Sequence, residues 1–139
     1  MDLPEGYQDL FDDASRAFLV LSTVRGSGEP VVAPLWFVTD DEGLLFTTGM
    51  TAAKTRDLRA RPGVAGIVMA EGEHERYVSV RGRAVELGGP EAVTVDADAV
   101  HRRIVRRYEG HDPAEPFDGT VFRLVPLRVT GYDYRDLPG

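Results

Sequence analysis

The chain of 139 residues contains no cysteine. That excludes disulfide frameworks, thiolate metal sites and cysteine redox chemistry. No run of 18 apolar residues occurs, so no segment reads as a membrane span. The opening MDLPEGYQDLFDD is acidic and lacks the basic-then-apolar order of a secretory signal, which makes a cytoplasmic location the expectation. His74, His101 and His111 stand apart, without metal-ligand spacing. GxSxG, Walker and strand-coupled GxGxxG motifs are all missing. Such a lack suits an enzyme whose cofactor carries the hard chemistry while the protein positions it. A formal charge of -7 argues against a nonspecific nucleic-acid binder, so any anion site must be basic locally. Tryptophan occurs once, at Trp36, and lysine once, at Lys54, among 16 basic residues.

What is present reads as one domain over 1–139, with no repeat, low-complexity tract or linker. Residues 8–16 suggest a short helix from Leu10, Phe11 and Ala14. AFLVLSTV at 17–24 has strand length, RGSGE is a turn, and PVVAPLWFVTD at 30–40 resumes as a strand. Pro34 cannot donate to a ladder, so that strand lies at an edge or carries a bulge. DDEG turns the chain into GLLFTTG. AAKTRDLRAR at 52–61 is helical by propensity and ends at Pro62-Gly63. GVAGIVMA at 63–70 is a buried-type strand.

RYVSVRGRAVEL at 76–87 alternates, with Val78, Val80, Gly82 and Ala84 on one face and Tyr77, Ser79, Arg81 and Arg83 on the other. Gly82 in mid-strand marks a bend or a close backbone approach. From about Asp96 a helix carries Val100, Ile104 and Tyr108 on one face and arginines opposite. Asp96 or Asp98 caps it and Gly110 ends it. GTVFRLVPLRVTGYDY at 119–134 gives two strands broken near Pro126, and RDLPG is a loose tail. The acids at 39–43 and 71–75 read as solubilising turns. The sum is a mainly β chain with some helix, an antiparallel meander closed or partly closed as a barrel.

The densest local chemistry lies in Thr47-Thr48-Gly49-Met50-Thr51-Ala52-Ala53-Lys54. Thr51 is a natural N-cap for the helix that follows. The first turn of that helix is Ala-Ala-Lys, with no acid before Asp57. A lysine there opposes the helix dipole by about 0.3–1 kcal/mol, a cost offset if a phosphate or carboxylate sits at the helix start. Arg56 can share the anion. Arg59 and Arg61 are expected to be solvated or to meet an acidic extension of a ligand, and HRRIVRR at 101–107 is the second basic patch. The plain alternative is a solvated lysine on a surface helix. Trp36 and Phe37 point to opposite strand faces, one for the core and the other for a ligand or subunit. Tyr77 meets a ligand or the solvent edge.

Strand PVVAPLWFV, a turn, LLFTTG and then TAAKTRDLRARPGVAGIV resemble the flavin and deazaflavin oxidoreductases of the pyridoxamine 5'-phosphate oxidase-like split-barrel superfamily. The chain is most similar to their small actinobacterial coenzyme F420-dependent branch. RYVSVRGRAVEL, RRYEG and RVTGYDY add to the resemblance. It implies a six- or seven-stranded antiparallel split β-barrel (an FMN-binding split barrel) with flanking short helices. It also implies an oxidoreductase that transfers hydride between reduced F420 and a small activated organic substrate.

On the same resemblance, Lys54 binds the cofactor phosphate beside Thr48 and Thr51, with Arg56 assisting. Pro34, Leu35 and Trp36 line the ring, and Tyr77 approaches it. Two barrels would pair as a homodimer with the cofactor at their interface. Ala52 and Ala53 stand where flavin-binding members often carry Arg or Ser, which weakens an FMN phosphate grip, and Asp57 replaces a frequent Asn. An FMN-dependent oxidase or reductase, a noncatalytic flavin or F420 carrier and a purely structural domain stay open as alternatives. The proton donor is unassigned between Tyr77 and solvent.

Overall fold

The computed structural model describes residues 1–88 and 95–135. Its strands are β1 (Phe18–Val24), β2 (Pro30–Leu35), β3 (Val38–Asp40), β4 (Gly43–Gly49), β5 (Gly63–Ala70), β6 (Glu73–Gly88) and β7 (Gly119–Asp133). Helix α1 (Ala53–Ala60) lies between β4 and β5, and α2 (Ala97–Glu109) lies between β6 and β7. The seven strands form one sheet in the order β2-β1-β5-β6-β7-β4-β3, and its pairings are antiparallel.

That order dictates the shape. β2 and β3 are the outermost strands, yet only Trp36 and Phe37 separate them in the chain. Two residues reach only about 7–10 Å, far less than the width of a flat seven-stranded sheet at about 4.8 Å per strand. The sheet must therefore curl until its edges meet, which makes the expected split barrel.

The expected single strand over 30–40 is thus two strands from opposite edges. Pro34 sits on β2, an edge strand, where a missing donor costs no ladder bond. The expected break at Pro126 is instead a bulge inside one continuous β7. Arg81 pairs with Arg128 and Gly82 with Pro126, which leaves Leu127 unopposed. The expected helix over 8–16 is only a 3₁₀ turn at Gln8–Phe11. Beyond it, Asp12 Oδ1 accepts from Ala14 N at 2.8 Å and Ser15 Oγ from Ala17 N at 3.3 Å. These side chains offer the backbone an alternative to the helical ladder. The end of the expected loose tail, 136–139, lies outside the described residues.

β6 alternates as its sequence predicts, with Val78, Val80, Gly82 and Ala84 inward. A Cβ on Gly82 would run into the Val125 carbonyl oxygen, and one on Gly43 into that of Leu124. Glycines in both strands flanking β7 therefore let the sheet pack tightly just before the bulge. The barrel interior holds Leu19, Leu21, Phe46, Val68, Phe122 and Leu124 around Phe37 and Leu58. A second cluster, with Val38, Leu45 and Val121, packs beneath Ile104 and Tyr108 of α2. Asp96 caps α2 by accepting from Ala99 N at 3.2 Å, and Gly110 ends it at φ 80.

Candidate functional site

The Trp36–Phe37 crossing is anchored by side chains from the end of α2. Phe37 is fully buried, while Trp36 is 45% exposed. The paired aromatics thus divide as expected, although they do so from a crossing rather than from a strand. Tyr108 and Arg107 at the end of α2 hold the crossing. Phe37 N donates to Tyr108 Oη at 3.3 Å, and Tyr108 Oη donates to the Ala17 carbonyl. Arg107 is buried and donates to the carbonyls of Phe37 (2.6 Å), Ser15 (3.1 Å) and Leu10 (3.3 Å). Its guanidinium lies 4.6 Å from the Phe37 ring centre. Burial pushes the Arg107 pKa down and the Tyr108 phenol up. The Trp36 indole stacks on the Tyr108 ring at 4.9 Å and 3°.

This stack is one wall of a cavity of about 430 Å³ that also takes in Pro34, Leu35, Phe18, Arg16 and Glu71. Pro34, Leu35 and Trp36 are therefore brought to one cavity. Its other members were not singled out as site residues in the sequence. Tyr108 is legible there only as a core position on the apolar face of α2.

Lys54 lies elsewhere, at the start of α1. Its cap is Ala52 rather than Thr51, with no side-chain cap bond. The helical ladder begins at Arg56 N to Ala52 O, 3.3 Å, so the amides of Ala53, Lys54 and Thr55 precede it. No acid occurs in the first turn. Thr48 and Thr55 are both buried; their hydroxyls are 2.7 Å apart, and Thr55 Oγ1 donates to the Gly49 carbonyl at 2.5 Å. The Thr48 hydroxyl is thus engaged internally, while Thr51 is exposed and its carbonyl accepts from Arg56 Nη1 at 2.8 Å.

The other arginines of the patch are committed. Arg59 forms a two-pronged pair with Glu86 at 2.9 and 2.8 Å, and Arg61 pairs with Asp57 at 3.0 Å and with the Val24 carbonyl at 2.7 Å. Both guanidinium groups stay partly exposed while they make these pairs, and Arg61 neutralises the acid that follows Arg56. Lys54 itself is half-buried and has no acidic partner among the described residues; burial lowers its pKa from lysine's ordinary value. A desolvated ammonium beside free helix amides is a good anion receptor.

Tyr77 belongs to a third place. It pairs across strands with Tyr132 and stacks on it at 5.1 Å, with Tyr134 at 6.3 Å. Desolvation, then Tyr134, raises its pKa. Neither Lys54 nor Tyr77 lines the Trp36 cavity. Several of the remaining charges are committed within the chain. Asp40 pairs with Arg123 and takes the amides of Glu42 and Gly43, so it builds its turn rather than merely solvating it. Arg102, Arg103 and Arg106 of the second basic patch pair with Asp98, Asp13 and Asp112. No group of His, Cys, Asp and Glu suited to a metal occurs among the described residues, and none of their helices is long and apolar enough to cross a membrane.

Similar solved structures share the fold over nearly the whole chain. One described as an F420 reductase is 30% identical with a TM-score of 0.75, and the match covers 92% of this chain and 98% of that one. A conserved hypothetical protein from Mycobacterium tuberculosis is 24% identical with a TM-score of 0.75, covering 100% and 91% of the two chains. A heme storage protein from Vibrio cholerae is 21% identical with a TM-score of 0.69, covering 95% and 96%. At the last two identities the likeness speaks for the fold alone. No curated protein matches the chain in sequence. The family model described as pyridoxamine 5'-phosphate oxidase matches residues 4–133, and the chain belongs to that family.

Proposed function

We propose that the protein is an F420-dependent oxidoreductase acting on a small activated organic substrate. The observation that carries this reading is Lys54: a half-buried ammonium without an acidic partner among the described residues, in the first turn of a helix whose ladder begins at Arg56, in a protein of net charge -7. A cofactor phosphate placed there would regain for Lys54 the charge stabilisation that burial removes. Arg56 and Thr51 line the approach, and Thr48 holds the strand end in place through Thr55. Pro34, Leu35 and Trp36 form a rigid apolar wall for a flat ring. When bound, a reduced deazaflavin supplies hydride to an activated acceptor. The protein binds, orients and excludes water. The likeness to an F420 reductase at 30% identity supports F420 over FMN, as do Ala52 and Ala53 before the lysine.

Lys54, the Trp36 wall and Tyr77 are three separate places on one chain. A homodimer with the cofactor in the groove between barrels would let one chain supply the phosphate anchor and its partner another wall. FMN stays the second reading because of the family match.

Titration with F420 and FMN side by side at equal salt tests the proposal. F420 is expected to bind more tightly, and Lys54→Ala to weaken it by about ten- to a hundredfold, the range for losing a charged hydrogen bond. Failure to bind either cofactor would sink the reading. Binding without turnover by either reduced cofactor would leave a carrier.

A further inference from the structure

We propose that the cavity beside Trp36 is a binding site for planar aromatic monocarboxylates. The aromatic surface is fixed in advance. Trp36 stacks on Tyr108 almost in parallel, and Tyr108 is itself tethered through its hydroxyl to Phe37 and Ala17. An indole so held yet 45% exposed offers a flat apolar surface at little entropic cost to a flat ligand. Phe18 and Pro34 extend the apolar lining.

The charges select the ligand. Among the described residues eight arginines bind a carboxylate, Arg59, Arg61, Arg76, Arg102, Arg103, Arg106, Arg123 and Arg135, and the other seven form no ion pair. Arg16 lines the cavity and forms no ion pair among the described residues. Its planar fork suits a carboxylate held by two parallel hydrogen bonds. Glu71 lines the same cavity, likewise without an ion pair, and it does not pair with Arg16. A second negative charge on the ligand meets that carboxylate unfavourably, whereas a hydroxyl or amine donor meets it well. A volume of about 430 Å³ lies at the lower end for small-molecule sites and suits a ligand of one or two fused rings.

That such an anion is the substrate rests on the oxidoreductase reading above, which places the cofactor ring against the same Pro34–Trp36 wall. Binding itself does not.

The single tryptophan makes the test site-specific, because the folded chain has one indole N–H resonance. 2-Naphthoate, 2-naphthalenemethanol and naphthalene-2,6-dicarboxylate are titrated into the full-length protein, with that resonance and calorimetry as readouts. Naphthoate is expected to shift the resonance saturably and to bind about tenfold more tightly than the neutral alcohol and the dicarboxylate. Arg16→Gln, an exposed and unpaired position, should erase the preference for acid over alcohol. Glu71→Gln should restore the dicarboxylate to within about twofold of the monoacid. Equal affinity for acid and alcohol, or an unchanged preference in Arg16→Gln, overturns the proposal. If F420 binds through Lys54 while naphthoate leaves the indole unmoved, the cavity assignment fails and the cofactor reading stands. If naphthoate binds and neither cofactor does, the reverse holds.

Discussion

Replacing Tyr108 with phenylalanine tests how the barrel closes. The hydroxyl is the only atom removed, so the ring stays to stack on Trp36 and to cover Ile104 and Val121. The change takes the acceptor from Phe37 N and the donor from the Ala17 carbonyl, both inside a region where Phe37 and Ala17 are fully buried. Each buried polar group left unpaired costs about 1–3 kcal/mol, so the two together cost about 2–6 kcal/mol. A chain of this length gains about 0.29 kcal/mol per kelvin of unfolding entropy, from about 2.1 cal/mol/K for each residue. The melting temperature should therefore fall by about 7–20 °C. Calorimetry supplies the number, and Trp36 emission reports whether the stack persists. Folded-state emission should stay near the parent's for Tyr108→Phe and move for Tyr108→Leu, which removes the ring as well. A drop smaller than about 1 °C in Tyr108→Phe would refute the view that this hydroxyl fastens the crossing.

Gly82→Ala should destabilise by about 1–3 kcal/mol in chemical denaturation, since its Cβ meets a backbone carbonyl that cannot swing aside; wild-type stability would show that β7 yields instead. Arg76 grips Asp9 at 2.9 and 2.7 Å, and that hydrogen bond chiefly lowers the Asp9 pKa below its ordinary 3.8. The stabilisation is complete above that value and lost as pH falls through the lower folded value, so Asp9→Asn should lower stability at neutral pH, flatten the acid limb of the stability curve and converge with the parent in acid. Lys54 gives a slope of the same sign at higher pH, here because burial penalises its charged form. Burial depresses its pKa, so the unfolded chain holds more protons between the folded value and 10.5, and cofactor-free stability should rise with pH in that window. Lys54→Met should remove that rise, and an unchanged slope would show that the ammonium is not desolvated.

The alternation of β6 and the apolar face of α2 were legible because burial on one face imposes a period of two or of 3.6. The Asp96 cap and the Gly110 stop followed from local chemistry alone. The split of 30–40 into strands at opposite edges was not legible, since VVAPLWFV is uniformly apolar and the break depends on contacts from Arg107 and Tyr108, some 70 residues away. Proline misled at 126, where the sheet absorbs it in a bulge, yet it correctly marked an edge at Pro34. Among the candidate residues, Lys54 stood out because it was the one lysine in an acid-free first turn. Arg16, Glu71 and Tyr108 did not, because each reaches the cavity only after the sheet has curled.

The place of β7 in the sheet also sets an order of events during synthesis. It is the last of the seven described strands to leave the ribosome, yet it lies between β6 and β4. Until Gly119–Asp133 emerges, β2-β1-β5-β6 can assemble as a hairpin-rich sheet, while β3 and β4 have only each other. A two-stranded ribbon is marginal in water. Closure thus waits on pairings such as Phe46 with Phe122, far apart in the chain, a topology associated with slow folding. Nascent chains stalled before residue 119 should carry two open sheet edges, on β6 and β4, and depend on chaperones until release.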